Sequence, residues 1–177
     1  MLLALSIPCL AVDNLSSIGK NHTLGINLGL GGVDTDISSE TDESESVIGV
    51  IYGYQYSSIW AINTGMISAE SFCIITCLKG TSIARTLGYD SYLLNIKGSL
   101  NFSNRWSMFG KLGVNYYDLE FSGGQRIDLT DSGVGGLLAT GFDFRAHNGF
   151  GFGIEATWLD MGNVSATNYT INLSYMF

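Results

Sequence analysis

Charged residues and proline are both scarce in this sequence of 177 residues. Asp, Glu, Lys and Arg make up 14% of the chain, compared with about 25% in an ordinary soluble domain, and there is a single proline. The 9 tyrosines and 9 phenylalanines exclude a disordered chain, which is poor in aromatic residues. The 23 glycines argue against a helical bundle, because each glycine inside a helix costs about 1 kcal/mol relative to alanine.

Basic residues and long apolar runs are also missing. Eight Lys and Arg stand against 16 Asp and Glu, for a net charge of −8, which leaves no basic face for nucleic-acid phosphates, so nucleic acid is not an expected partner. No segment after the N-terminal residues approaches the ~20 apolar residues of a membrane helix. A chain rich in glycine and aromatic residues but poor in charge is therefore predicted to be all-β. If it enters a membrane, it must cross as strands.

The first eleven residues, MLLALSIPCLA, form a short apolar run that ends in a small residue. Such a run is typical of a secretory signal, here with Ala11 as the last residue removed. The usual basic region is missing, which leaves open a start further upstream. Pro8 argues against the alternative of a buried first strand. We expect a signal peptide at 1–11 and one domain over 12–177.

Apolar and polar residues alternate in eight segments, the period of a β-strand. The segments lie at 24–30, 48–56, 60–66, 92–102, 106–116, 134–144, 150–158 and 169–177. They are joined alternately by tight turns, near 57–58, 103–104 and 147–149, and by longer polar stretches at 32–46, 70–90, 119–132 and 159–167. Short turns at one end and long loops at the other are typical of an outer-membrane barrel. The even number of strands places both termini on the short-turn side, in the periplasm.

The bulky residues of each segment are expected to face lipid, while Gly, Ala, Ser and Asn fill a narrow lumen. Trp60 and Trp106 follow tight turns, and Tyr116 and Trp158 fall near the other end of their segments. Two aromatic girdles around an aliphatic band are a feature of barrels that span a bilayer. The sequence therefore predicts an all-β, eight-stranded antiparallel up-and-down transmembrane β-barrel.

Several stretches resemble the OmpA-like transmembrane barrels. The similarity is clearest from Tyr92 to Asp118 and from Gly133 to Trp158, and it extends to GYQYSSIW at 53–60 and to the Tyr-x-Phe terminus. It implies a cofactor-free protein in the outer membrane of a Gram-negative bacterium. It also implies that Tyr175 and Phe177 form the signal for the barrel-assembly machinery. The peptidoglycan-binding domain of larger members is not expected, since the sequence ends at Phe177.

Four charged residues share the parity of the lumen: Lys97, Lys111, Asp143 and Glu155. They should pair, because an unpaired charge in a dry interior is costly. In OmpA-like barrels such a cluster acts as a plug or gate, and Lys97 and Glu155 match it by resemblance. Gly153 stands where that family often has Arg. The alternatives are therefore simple packing of the lumen or a narrow pore gated by the cluster.

Thirteen of the 16 acidic residues lie in the long connections or at their edges. The first connection holds six of them and no base: Asp34, Asp36, Glu40, Asp42, Glu43 and Glu45. This run is either a solvated loop or a weak site for divalent cations that bridge to lipopolysaccharide phosphates. A dedicated metal site is not expected, because the glycine that an EF-hand loop requires is missing.

Cys73 and Cys77 are predicted to form a local disulfide in the second long connection. His22 and His147 both fall on the short-turn side, so no Ser-His-Asp set can be assembled at the outer end, and no enzymatic activity is expected. The predicted role is structural or surface-interacting, with acidic loops contacting lipopolysaccharide or a host surface. The alternative is the narrow pore.

Overall fold

The computed structural model describes residues 21–35, 45–71, 86–122, 129–162 and 164–177, which form eight antiparallel strands. In chain order these are β1 (His22–Thr35), β2 (Glu45–Gln55), β3 (Trp60–Ser71), β4 (Thr86–Asn101), β5 (Trp106–Ser122), β6 (Leu129–Arg145), β7 (Phe150–Met161) and β8 (Val164–Met176). Each strand pairs with the next, and β8 pairs with β1, so the sheet closes into a barrel. The predicted fold class is confirmed. No helix among the described residues is long and apolar enough to cross a membrane.

The register of the strands sets the width of the barrel. A ladder of paired residues that starts at Thr23 returns to β1 at Val33, ten residues further along, after passing through Gly53, Asn63, Asn95, Gly113, Leu137, Leu159 and Ala166. Eight strands with this stagger tilt by about 40° and enclose an interior that side chains can fill.

The two ends of the barrel differ in their connections. The turns at 56–59, 102–105 and 146–149 lie at one end, the short-turn end, together with His22 and Phe177. The prediction of a long connection at 159–167 is wrong, because β7 continues to Met161 and β8 begins at Val164. Gly162 has a φ of 75°, which glycine adopts without strain, and this allows the tight reversal at the opposite end.

The outward face is apolar, as the alternation predicts. Leu112 is 70% exposed and Val134 71% exposed. The inward face of the short-turn half carries mainly small, polar and charged residues. The opposite half contains some buried polar residues, such as Ser91, Asn115 and Asn168, but most of it is filled by the apolar plug, which consists of Val47, Ile67, Ala69, Tyr89, Leu93, Tyr117, Leu119, Leu137, Ala139, Leu159, Met161, Val164 and Ala166.

The apolar plug differs from the expected lumen of small and polar residues. Several residues of the plug have an apolar neighbour in the same strand, as Leu93 has Leu94 and Leu137 has Leu138. One residue of each pair faces out and the other faces in, because side chains alternate along a strand. These strands are therefore apolar on both faces near the end opposite the short turns.

Candidate functional site

Five charged side chains turn inward in the short-turn half of the barrel and form the lumenal charge cluster: Lys97 on β4, Lys111 on β5, Asp143 and Arg145 on β6, and Glu155 on β7. Lys97 and Lys111 are direct cross-strand partners. Two like charges in this position repel each other. The carboxylates come from the strands that follow, and each ion pair links two strands that are not neighbours.

Lys111 and Glu155 form the more deeply buried ion pair. Lys111 Nζ lies 2.6 Å from Glu155 Oε2, and the two side chains are 6% and 5% exposed. Thr157 Oγ1 donates a hydrogen bond of 2.9 Å to the other carboxylate oxygen, Oε1. Both oxygens of Glu155 are therefore engaged, which a buried carboxylate requires.

Lys97 forms an ion pair with Asp143, and this pair is partly buried. Gly153 is the cross-strand partner of Asp143, and a Cβ at position 153 would collide with Asp143 Oδ1. The absence of a side chain at Gly153 thus leaves the space that the Asp143 carboxylate occupies.

Both ammonium groups lie over the ring of Phe109. Its ring centroid lies 4.1 Å from Lys97 Nζ and 5.2 Å from Lys111 Nζ, distances at which a cation is attracted to the face of the ring. Gly141 makes room for this ring, since a Cβ there would lie 2.7 Å from Phe109 Cζ. Phe109 was not predicted to lie in the lumen, although it stands two residues before Lys111 and so shares its face.

Arg145 is the one residue of the lumenal charge cluster that was not predicted to lie in the lumen. It lies two residues after Asp143 on the same face of β6, so the alternation was a signal for it. The cluster surrounds a cavity of about 40 Å³ in the short-turn half, and Arg145 lines it. Arg145 Nη1 is buried without a hydrogen-bond partner.

The aromatic residues expected in the girdles all lie on the outward face. Trp60 and Trp106 open their strands at the short-turn end, and the Trp106 ring packs 5.1 Å from that of Phe144. Tyr116 follows Trp106 by ten residues along β5. At 3.3 Å per residue and a tilt of ~40°, this separation is about 25 Å along the barrel axis, the height of the apolar band of outer-membrane barrels. Trp158 is eight residues beyond Phe150 in β7.

At the opposite end, two of the acidic residues that were predicted to lie in the first long loop belong to strands instead. Asp34 belongs to β1 and Glu45 opens β2. The prediction that Glu45 lies in a solvated loop is wrong. It shares the inward face of Val47 and is 2% exposed. The remaining acids of that connection, and both predicted disulfide cysteines, lie outside the described residues: Asp36, Glu40, Asp42, Glu43, Cys73 and Cys77.

Four other acids stand on the outward face, beyond Tyr92, Tyr116 and Trp158, and form the acidic collar: Glu70, Asp90, Asp118 and Asp160. Asp90 and Asp118 are direct cross-strand partners. Like charges in this arrangement destabilise a sheet unless a cation lies between them. The collar therefore favours contact with cations at this end of the barrel.

The seam between the first and last strands closes at the short-turn end. The backbone groups of His22 and Phe177 exchange hydrogen bonds of 3.1 and 2.8 Å, and their rings stack with centroids 5.9 Å apart. His22 Nδ1 also lies 2.6 Å from the Tyr52 hydroxyl.

His147 is in the turn at 146–149, at the same end. Over the described strands and turns, no group of three His, Cys, Asp or Glu residues is arranged to hold a metal ion.

Comparisons with known proteins agree with this architecture. A family model described as the outer membrane protein beta-barrel domain matches residues 2–177. No curated protein sequence matches the chain.

Solved structures match the fold at low sequence identity. Ail, the attachment invasion locus protein of Yersinia pestis, is 14% identical, with a TM-score of 0.66 over 89% of this chain and 99% of that one. Ail has also been crystallised with the heparin analogue sucrose octasulfate. Neisserial surface protein A is 8% identical, with a TM-score of 0.72 over 88% and 97% of the two chains. OprG from Pseudomonas aeruginosa is 14% identical, with a TM-score of 0.59 over 89% and 97%.

Proposed function

The chain belongs to the outer membrane protein β-barrel family, and from this we propose that it is a closed structural barrel of the Gram-negative outer membrane that presents an acidic surface to the exterior. The outward apolar face contacts membrane lipid. The short-turn end lies in the periplasm with both termini, because the periplasmic turns of such barrels are short. The acidic collar then stands at the outer leaflet.

The main support for a structural role is that the apolar plug fills the lumen. Ile67, Leu119 and Leu159 are each no more than 1% exposed, and they fill the lumen beyond the charge cluster. An aqueous path through the barrel would have to cross this close-packed layer, in which even the polar side chains of Ser91, Asn115 and Asn168 are no more than 1% exposed, so an ion would lose its hydration there. The alternative function, a narrow pore gated by the ion pairs, would require the plug to move as well.

Conductance in planar bilayers tests the structural role against the pore. We expect wild-type protein to show no ion current, and the Lys111→Met/Glu155→Leu double variant to remain closed because the plug is intact. The Leu137→Gly/Leu159→Gly double variant removes two side chains of the plug. It serves as the positive control and should conduct. Current through the wild-type barrel that changes in the Lys111→Met/Glu155→Leu variant would instead establish the pore.

The acidic collar supports a contact with lipopolysaccharide through divalent cations. The phosphates of that lipid and the carboxylates of Asp90 and Asp118 carry the same sign of charge, so Mg²⁺ or Ca²⁺ must lie between them. Direct binding of a sulfated polyanion, the type of ligand in the Ail complex, is disfavoured at this collar.

Vesicles with and without lipopolysaccharide test this contact. The unfolding midpoint of the inserted barrel should rise with Mg²⁺ only in lipopolysaccharide vesicles, and EDTA should reverse the rise. The Asp90→Asn/Asp118→Asn variant should lose the Mg²⁺ dependence. An equal Mg²⁺ effect in this variant would remove the collar from the proposed function.

The terminal strand supports an interaction with the barrel-assembly machinery through Tyr175 and Phe177. Both rings lie on the outward face at the β1–β8 seam, and Tyr175 packs 5.1 Å from Phe150. A Phe177→Ala variant should accumulate unfolded in cells while still refolding into detergent. Normal assembly of this variant in cells would mean that the terminal aromatic residue is not the signal.

A further inference from the structure

The lumenal charge cluster contains one more cation than it has anions to pair. Lys97 is paired with Asp143, and Lys111 with Glu155. Among the described residues, Arg145 takes part in no ion pair, and its Nη1 atom is buried without a hydrogen-bond partner. The short-turn half of the lumen therefore holds three cations and two carboxylates.

The position of the Arg145 guanidinium is set by its neighbours across the sheet. Gly151 is its cross-strand partner, and Ser174 follows on β8. Arg145 Cζ lies 3.7 Å from the point where a Cβ of Gly151 would stand, and Ser174 Oγ lies close to the same point. A guanidinium and a hydroxyl, both hydrogen-bond donors, thus converge over a glycine that leaves the space open.

The cavity beside these donors has room for a small ligand. Its volume is about 40 Å³, and Thr23, Ser174 and Arg145 are among its lining residues. A single water molecule needs ~10–15 Å³ of such space. The carboxylates of Asp143 and Glu155 line the same cavity, but both are engaged by lysines. Asp143 attracts Arg145 electrostatically, but it accepts its hydrogen bond from Lys97, so the cluster keeps one excess positive charge.

Water alone would satisfy the hydrogen bond of Arg145 Nη1 and leave the charge uncompensated. The cavity lies on the short-turn side of the apolar plug, and Arg145 is partly buried, so the excess charge is less well hydrated than in bulk water. A monovalent anion satisfies the donor and neutralises the charge together.

We propose that the short-turn half of the lumen binds one halide-sized monovalent anion, held by the Arg145 guanidinium and the Ser174 hydroxyl. The anion completes the charge balance of the cluster beneath the apolar plug. Arg105, which is exposed in the turn at 102–105, supplies a matched control because its removal changes the net charge equally without touching the cavity.

The test measures the unfolding midpoint of the refolded barrel in sodium chloride, sodium bromide and sodium gluconate at equal ionic strength. Wild-type protein and Arg105→Gln should be stabilised by the halides in a saturable way, but not by gluconate. Arg145→Gln should lose this dependence, with an apparent halide affinity at least tenfold weaker. Ser174→Ala, a milder change, should weaken the affinity by at least threefold and covers the case in which Arg145→Gln does not fold.

Crystals grown in bromide provide the second readout. An anomalous peak between Arg145 and Ser174 is the expected result. Equal midpoints of the wild type in halide and gluconate, a halide effect unchanged in both variants, or a bromide crystal without a peak in the cavity would each overturn the proposal.

Discussion

The Asp143 carboxylate occupies the space that Gly153 leaves open. Adding a single methyl group at position 153 should therefore destabilise the barrel. A Gly153→Ala substitution places its Cβ against Asp143 Oδ1 and 2.9 Å from the Phe142 carbonyl oxygen. We expect a loss of about 1–3 kcal/mol in the free energy of unfolding, the usual cost of overpacking. Urea titration of the barrel in lipid vesicles measures it. Gly32→Ala is the control, because no atom lies within 4 Å of a Cβ at that position, and an equal loss in both variants would contradict the steric explanation.

Glu155 neutralises the most buried cation of the cluster. In Glu155→Gln the charge of Lys111 remains in the lumen without its partner, and we expect a loss of about 3–5 kcal/mol in the free energy of unfolding. The Lys111→Met/Glu155→Leu variant removes both charges and should recover most of that loss. If the single variant unfolds at the same urea concentration as the wild type, Glu155 does not support the barrel.

The alternation of residues was enough to predict the cluster as a set, but not its membership. Parity placed Lys97, Lys111, Asp143 and Glu155 on one face, and the same rule applied to every second residue would have added Phe109 and Arg145. The pairing itself depends on the stagger of the strands, which links β4 with β6 and β5 with β7. No local pattern in the sequence records that stagger.

The strands were predictable where their two faces differ and less so where they do not. β1 and β8 alternate cleanly, whereas β4, β5 and β6 carry adjacent apolar residues near one end, and there the inward residues build the apolar plug. The connection between β7 and β8 was predicted as a long polar stretch at 159–167. It is a tight reversal, since Leu159 and Met161 are fully buried and hold β7 in the wall up to the turn.

The outward face of β5 is the part of the wall where a charge would be most costly. Leu112 lies between Trp106 and Tyr116 and is 70% exposed. Leu112→Arg should lower the free energy of folding into a bilayer by about 2–4 kcal/mol, as expected at the bilayer midplane. Ser132→Arg, on the same outward face but beyond the girdle, should cost only ~0–1 kcal/mol. Equal tolerance of both substitutions would mean that this face does not contact lipid.

The closed barrel as a whole should resist detergent. All eight strands are hydrogen-bonded on both sides, so no edge is available at which unfolding could begin. Protein refolded into detergent should migrate differently in electrophoresis before and after boiling, and the unboiled form should give a β-rich circular dichroism spectrum. A chain that stays in solution without detergent and shows no shift would be a soluble β-protein, with its bulky face turned inward.

The two-sided apolar strands that build the plug have a consequence before the barrel exists. In water, the unfolded chain exposes segments such as Tyr92–Leu94 and Leu137–Ala139 in which neither face is polar, and such segments are prone to intermolecular pairing. The acids that follow them along the chain, among them Asp118 and Asp160, oppose that pairing through charge repulsion. The apolar residues that fill the finished barrel therefore make the unfolded polypeptide prone to aggregate in water, and the negative charge opposes that aggregation.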